Sequence, residues 1–150
     1  MVRKATLGDV KHVFDIIDVF AKKGVMLPRS VTEIEGSLRD FFVFEEEGFI
    51  RGAVALHIWG PDLGEIRSLA VRDEFTKRGV GRRLVEACSS EAKTLGIKRV
   101  FALTYKTGFF ARIGFHVIDR ITLPQKIWGD CMRCVKFQSC DETAVMIEVK

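Results

Sequence analysis

No apolar run in this chain approaches the ~20 residues that a membrane-spanning helix needs. The opening residues Met1-Val2-Arg3-Lys4-Ala5-Thr6 lead into no apolar signal region. A cytoplasmic chain with no membrane partner is therefore expected. Low-complexity tracts and internal repeats are also missing, and no segment has a disordered composition. Charge is not strongly of one sign: the net value is +4, too modest to imply long-range attraction to nucleic acid. The cations are not interleaved with aromatic residues, which argues further against a nucleic-acid partner. Tyrosine occurs once, at Tyr105.

What is present is enough for one ordinary domain over residues 1–150. Hydrophobic residues make up 47% of the chain and include 12 Phe, sufficient for a core without disulfide staples. Val2 to Ala5 reads as a short strand. Thr6 caps a helix with Val10, Val13, Phe14, Ile17 and Phe20 at helical spacing, ended by Gly24. Ser30-Val31-Thr32-Glu33 is a capping box that opens a second helix to about Arg39. Phe41–Glu45 and Phe49–Trp59 form a hairpin, and a turn at Gly60-Pro61-Asp62 leads to a strand at Gly64–Val71. A long amphipathic helix spans Val80–Leu95. A buried strand follows at Arg99–Thr104, then a short helix at Thr107–Ile113 and strands at Phe115–Ile118 and Ala144–Val149. The order predicts a mixed α/β fold: one layer of mostly antiparallel strands with helices on both faces.

The chemically richest stretch is the strand Gly64–Val71, the loop Arg72–Arg78 and the helix opening Gly79-Val80-Gly81-Arg82. Glycines there let backbone N–H groups approach a phosphate, and the helix dipole adds a positive end. Lys77, Arg78, Arg82 and Arg83 supply cations around the same point. No Gly-Lys-Ser/Thr follows, so this is not an ATP-binding P-loop. The third glycine of a dinucleotide-binding turn is also missing. A pyrophosphate ligand that is neither ATP nor NAD remains, and coenzyme A is the obvious one.

These residues resemble the GNAT N-acetyltransferase superfamily, whose acyl-CoA signature is Gln/Arg-x-x-Gly-x-Gly/Ala. This sequence has Thr76-Lys77-Arg78-Gly79-Val80-Gly81, with Thr76 departing from the first position. Phe109-Phe110-Ala111-Arg112-Ile113-Gly114-Phe115 is similar to the family's aromatic-Tyr-x-x-x-Gly-Phe helix. The resemblance implies a GNAT acyl-CoA N-acyltransferase fold and acetyl-CoA as co-substrate. It implies that the backbone of Leu69, Ala70 and Val71 holds the pantetheine arm. Lys77, Arg78, Gly79, Val80, Gly81 and Arg82 would hold the pyrophosphate, with Phe110 and Arg112 nearby. It also assigns Glu65 as the general base that an amine needs near neutral pH. A backbone N–H near Leu69 would stabilise the oxyanion. Phe110 stands where the family often has the tyrosine that protonates the departing thiolate, and Tyr105 is the candidate substitute.

Leu27-Pro28-Arg29-Ser30, Gly64-Glu65-Ile66-Arg67-Ser68-Leu69-Ala70-Val71, Phe101–Thr107 and Asp119–Pro124 resemble the acetyltransferase domain of N-acetylglutamate synthases. That implies L-glutamate as the small-molecule amine acceptor, a role in arginine biosynthesis and a stand-alone form of the synthase. Two carboxylates call for well-placed cations, best a bidentate arginine. Arg29 would hold the α-carboxylate, His57 would face the side-chain carboxylate, and Arg67, Thr104 and Lys106 would complete the pocket. The last strand, unlike that of many synthases, contains no arginine. By analogy with GNAT domains, a homodimer is expected.

Of four cysteines, Cys88 lies in the long helical pattern as a small buried hydrophobe. Cys131, Cys134 and Cys140 form Cys-x2-Cys-x5-Cys, which fits a zinc site, a redox pair or plain packing thiols. Two other functions also fit the sequence. One is acetyl transfer to another small amine or a protein N-terminus. The other is a non-catalytic acetyl-CoA-binding module with a cysteine metal or redox switch.

Overall fold

The computed structural model describes residues 1–124 and 142–149. The elements are β1 (Val2–Lys4), α1 (Val10–Lys22), α2 (Val31–Gly36), β2 (Phe41–Glu46), β3 (Phe49–Gly60), β4 (Leu63–Val71), α3 (Val80–Leu95), β5 (Arg99–Thr104), α4 (Thr107–Arg112), β6 (His116–Ile118) and β7 (Thr143–Glu148). Among the described residues, seven strands form one sheet in the order β1-β2-β3-β4-β5-β7-β6. Every pairing is antiparallel except β4 with β5. The expected mixed α/β class is the one observed.

Helix α1 buries Val10, Val13, Ile16 and Ile17, a stripe at helical spacing. Its expected N-terminus differs in detail. Leu7–Asp9 form a 3-10 turn first, because Asp9 Oδ2 accepts from the Thr6 N–H at 2.7 Å and the Thr6 hydroxyl at 3.1 Å. The capping box of α2 is present: Ser30 Oγ accepts from the Glu33 N–H at 3.0 Å and Glu33 Oε1 from the Ser30 N–H at 3.2 Å. That helix stops at Gly36, and Leu38–Asp40 continue only as a 3-10 turn.

Strand β2 shows why the central strands read as continuous apolar runs. Phe41 and Val43 pack with α1 and α2, whereas Phe42 and Phe44 pack under α3 with Leu84, Val85 and Cys88. Both faces are covered, so alternation is hidden. Each fully buried side chain of this kind contributes about 1.5–3 kcal/mol. The long helix begins at Gly79 (φ +77°) and ends at Gly96 (φ +83°), left-handed positions that favour glycine.

Candidate functional site

Strands β4 and β5 run parallel but pair over only three positions: Leu63 with Arg99, Gly64 with Val100 and Glu65 with Phe101. Beyond Glu65 both strands continue while their pairing stops, and a cleft opens between them. A bulge on β4 accompanies the split. On β3, Ala53 faces Ala70 and Ala55 faces Arg67, so β4 carries one extra residue there. Ser68 sits in that interval at φ +56°, a left-handed conformation that costs a non-glycine residue on the order of 1–3 kcal/mol. The bulge re-aims the following residues: Leu69 packs on the α3 side and Ala70 on the α1 side.

The cleft is a cavity of about 450 Å³. Its wall includes Glu65, Arg67, Leu69 and Val71 from β4, Thr104 and Tyr105 from the end of β5, and Lys106, Phe110, Gly81 and Arg29. Much of the residue set expected from sequence is therefore gathered around one space. Glu65 is buried at 8% exposure. Its Oε1 accepts from Trp59 Nε1 at 2.9 Å and from Arg67 Nη2 at 3.0 Å. Among the described residues, no group donates to Oε2. One oxygen thus fixes the carboxylate and the other remains available to a proton in the cleft. Thr104 Oγ1 accepts from the Lys106 N–H at 2.8 Å, which shapes the turn into α4. The Arg29 side chain is 12% exposed, and its Nη1 lies 3.8 Å from Glu33 Oε2, so the capping box also steadies the cation.

Other expected residues are placed elsewhere. His57 is not among the described residues lining the cavity. Its ring packs edge-on to Trp59, with centroids 4.7 Å apart, and its Nδ1 lies 3.5 Å from Asp40 Oδ2. Arg78 makes a two-pronged pair with Glu46, both contacts at 3.1 Å. Arg82 lies 3.7 Å from Glu86, and the Arg83 guanidinium sits 5.1 Å from the Phe44 ring centre. Arg78, Arg82 and Arg83 thus each have a partner of their own around the start of α3. Ala70 and Val80 are each 2% exposed, within the two cores rather than at the cavity wall. Arg112 is exposed at the end of α4 and is not among the lining residues. Lys77 lies in the 3-10 turn before Gly79.

The glycines do fit a phosphate. Gly79, the N-cap of α3, carries no side-chain cap, and a Cβ there would meet nothing within 4 Å. A Cβ on Gly81 would come within 3.3 Å of the Phe109 ring. The start of α3 is thus open at Gly79 and closed by the Phe109 ring at Gly81, with its first N–H groups left for a ligand by the helix geometry.

Trp59 and Phe109 were not singled out from the sequence. Trp59 carries a readable signal: it lies near the turn of the hairpin that holds Glu65, where strand pairing brings side chains of one face together. Cys131, Cys134 and Cys140, with the zinc expectation attached to them, lie outside the described residues. Among the described residues no cluster of His, Cys, Asp or Glu is arranged to hold a metal. No helix among them is long and apolar enough to cross a membrane.

Residues 18–116 match the Acetyltransferase (GNAT) family. An uncharacterised N-acetyltransferase of Chlorobaculum tepidum is 43% identical over 145 residues, covering 97% of this chain and 94% of that protein. An amino-acid acetyltransferase of Mycobacterium tuberculosis is 33% identical over 136 residues, covering 89% of this chain and 78% of that protein. N-acetylglutamate synthase from Neisseria gonorrhoeae, solved with coenzyme A and N-acetyl-glutamate, superposes with a TM-score of 0.90 at 28% identity. That match covers 100% of this chain and 35% of the synthase.

Proposed function

Because the chain belongs to the GNAT acetyltransferase family and is an acetyl-CoA-dependent N-acetyltransferase, we propose that its acceptor is the α-amine of L-glutamate. One observation carries this reading: a single cavity is lined by the Glu65 carboxylate and by the cations Arg29, Arg67 and Lys106. A polyamine would want a wall dominated by carboxylates, whereas Lys23, Arg29, Arg67 and Lys106 outnumber Glu65, Asp73 and Glu142 here. A dicarboxylate with one amine matches this wall, with Arg29 holding the α-carboxylate and Lys106 near the other. The amino-acid acetyltransferase among the similar proteins supports an amino acid as acceptor, and the N-acetylglutamate synthase solved with N-acetyl-glutamate supports glutamate.

The residues divide the work as follows. The splayed edges of β4 and β5 offer backbone hydrogen bonds to the pantetheine arm, and the turn Gly79–Gly81 offers N–H groups to the pyrophosphate. Glu65 Oε2 takes the proton from the ammonium, directly or through a water, and leaves a neutral amine to attack the thioester carbonyl. The Leu69 N–H, next to the bulge, donates to the oxygen that gains charge. Tyr105 returns a proton to the departing thiolate. Phe110, packed edge-on against Phe109 and Phe115 with both ring centres at 5.0 Å, keeps that end of the cleft apolar. Arginine biosynthesis in the cytoplasm is the setting this activity implies, and a homodimer is the assembly proposed.

The acceptor is tested with acetyl-CoA and a panel of amino acids, polyamines and peptides, following release of the CoA thiol. Turnover with L-glutamate above the rest of the panel supports the reading. Turnover confined to another amine keeps the enzyme class and removes glutamate.

A further inference from the structure

A second cavity, of about 380 Å³, lies beside the β2–β3 turn and the start of α1. Its wall includes Asp9, His12, Glu45, Arg51, Arg72 and Glu74. None of these residues takes part in the acetyl-transfer site.

The charges here are unevenly committed. Arg3 occupies both oxygens of Asp9, at 2.7 and 3.0 Å, and Oε1 of Glu45 at 3.0 Å. Arg51 has no such partner. Among the described residues, its Nε is buried with no hydrogen-bond acceptor, and no carboxylate pairs with its guanidinium. The group instead stacks on aromatic rings, 4.5 Å from the Phe75 centre and 5.1 Å from the Phe49 centre. Stacking orients a planar guanidinium without using its N–H donors. Because Nε itself is closed to solvent, an occupant of the cavity would meet the terminal nitrogens of Arg51, which also have no acceptor among the described residues. Arg72 lies alongside: its backbone N–H donates to the Arg51 carbonyl at 2.9 Å. Its Nε reaches the Ile50 carbonyl at 3.4 Å. Its terminal nitrogens have no acceptor among the described residues.

We propose that this cavity binds a small anion, a carboxylate or phosphate group held between the guanidiniums of Arg51 and Arg72. The site is distinct from the phosphate turn at Gly79–Gly81, yet it is joined to the acetyl-CoA cleft by one segment. Val71, Asp73 and Thr76 line the cleft, while Arg72 and Glu74 line the second cavity. Alternate residues of the same loop thus line the two spaces.

The test is calorimetric titration of inorganic phosphate, and separately of succinate, into protein already saturated with CoA. CoA binding is measured first in the same cell, so an incompetent cleft is recognised independently of this site. The expected result is one binding event per chain for at least one probe; the tighter probe identifies phosphate or carboxylate chemistry. Arg51→Met weakens it at least about tenfold, the loss of a charge-assisted hydrogen bond. Glu74→Gln strengthens it, because an exposed negative charge is removed from the rim. A merely structural disturbance would not move these two variants in opposite directions. No heat from either probe up to about 10 mM, or an affinity that both variants leave unchanged or lower alike, overturns the proposal.

Discussion

Trp59 Nε1 donates to Glu65 Oε1 at 2.9 Å, across the turn that joins β3 to β4. The same oxygen accepts from Arg67 Nη2 at 3.0 Å. Two donors on one oxygen hold the carboxylate in a single rotamer and leave its second oxygen for chemistry. Trp59→Phe keeps most of the ring volume and removes the N–H. A hydrogen bond to a charged group is worth about 1.5–3 kcal/mol, so kcat is expected to fall roughly tenfold to a hundredfold. The affinity for CoA stays unchanged, which separates positioning of Glu65 from damage to the cleft. Steady-state kinetics and CoA titration on the same variant check this.

Gly79 holds φ +77° with open space where its Cβ would be. Gly79→Ala therefore meets no clash and costs only the left-handed strain, about 1–2 kcal/mol. Gly81 differs, since its Cβ would press the Phe109 ring at 3.3 Å in the cleft wall. Gly81→Val is expected to raise the KM for acetyl-CoA about tenfold or more, and Gly79→Ala to lower the melting temperature first. Thermal melts with and without CoA distinguish the two.

Arg3 holds the Asp9 carboxyl down to about 2 from its ordinary 3.8, chiefly through their two hydrogen bonds. The folded value is the depressed one. Its stabilisation, on the order of 2 kcal/mol, is fully present above the unfolded value near 4. It is lost as pH falls from about 4 towards 2. Arg3→Met removes it, so the stability difference between the wild type and Arg3→Met should narrow across that window and stay flat above pH 5. Urea unfolding at a series of pH values measures this.

Cys88 is fully buried within the α3 core, and burial pushes its thiol up to about 12. It carries no thiolate at neutral pH and should resist maleimide while the protein is folded. With Cys131, Cys134 and Cys140 changed to serine, the native protein is expected to label slowly and the unfolded protein fully. Mass spectrometry reads both.

Much of the fold was legible because its punctuation is local. Gly79 and Gly96 bound α3, and Ser30 and Glu33 mark the start of α2. The gathering of Glu65, Leu69 and Tyr105 followed from strand order plus the family resemblance. The rest depends on neighbours that the sequence does not bring together. Ser68 has no composition signal for a bulge; only the register against Ala53 and Ala55 reveals it. Arg78 and Arg82 read from sequence as phosphate ligands, and the pairs they make with Glu46 and Glu86 have no local signal. Position on its strand points His57 to the acceptor, whereas its ring packs on Trp59 and lies beside Asp40. The Arg51 cavity draws on residues as far apart as Asp9 and Glu74, and no local pattern announces it.

The most direct measurement is acetyl transfer to L-glutamate by the wild type, Glu65→Gln and Arg29→Ala, with CoA binding measured for each. The expected result is turnover by the wild type and a fall in kcat of roughly 10²–10⁴-fold in Glu65→Gln. Arg29→Ala should raise the glutamate KM at least tenfold, with CoA binding intact in both. Absence of glutamate turnover in a wild type that acetylates another amine, or full activity in Glu65→Gln, would contradict glutamate acetylation by this cleft.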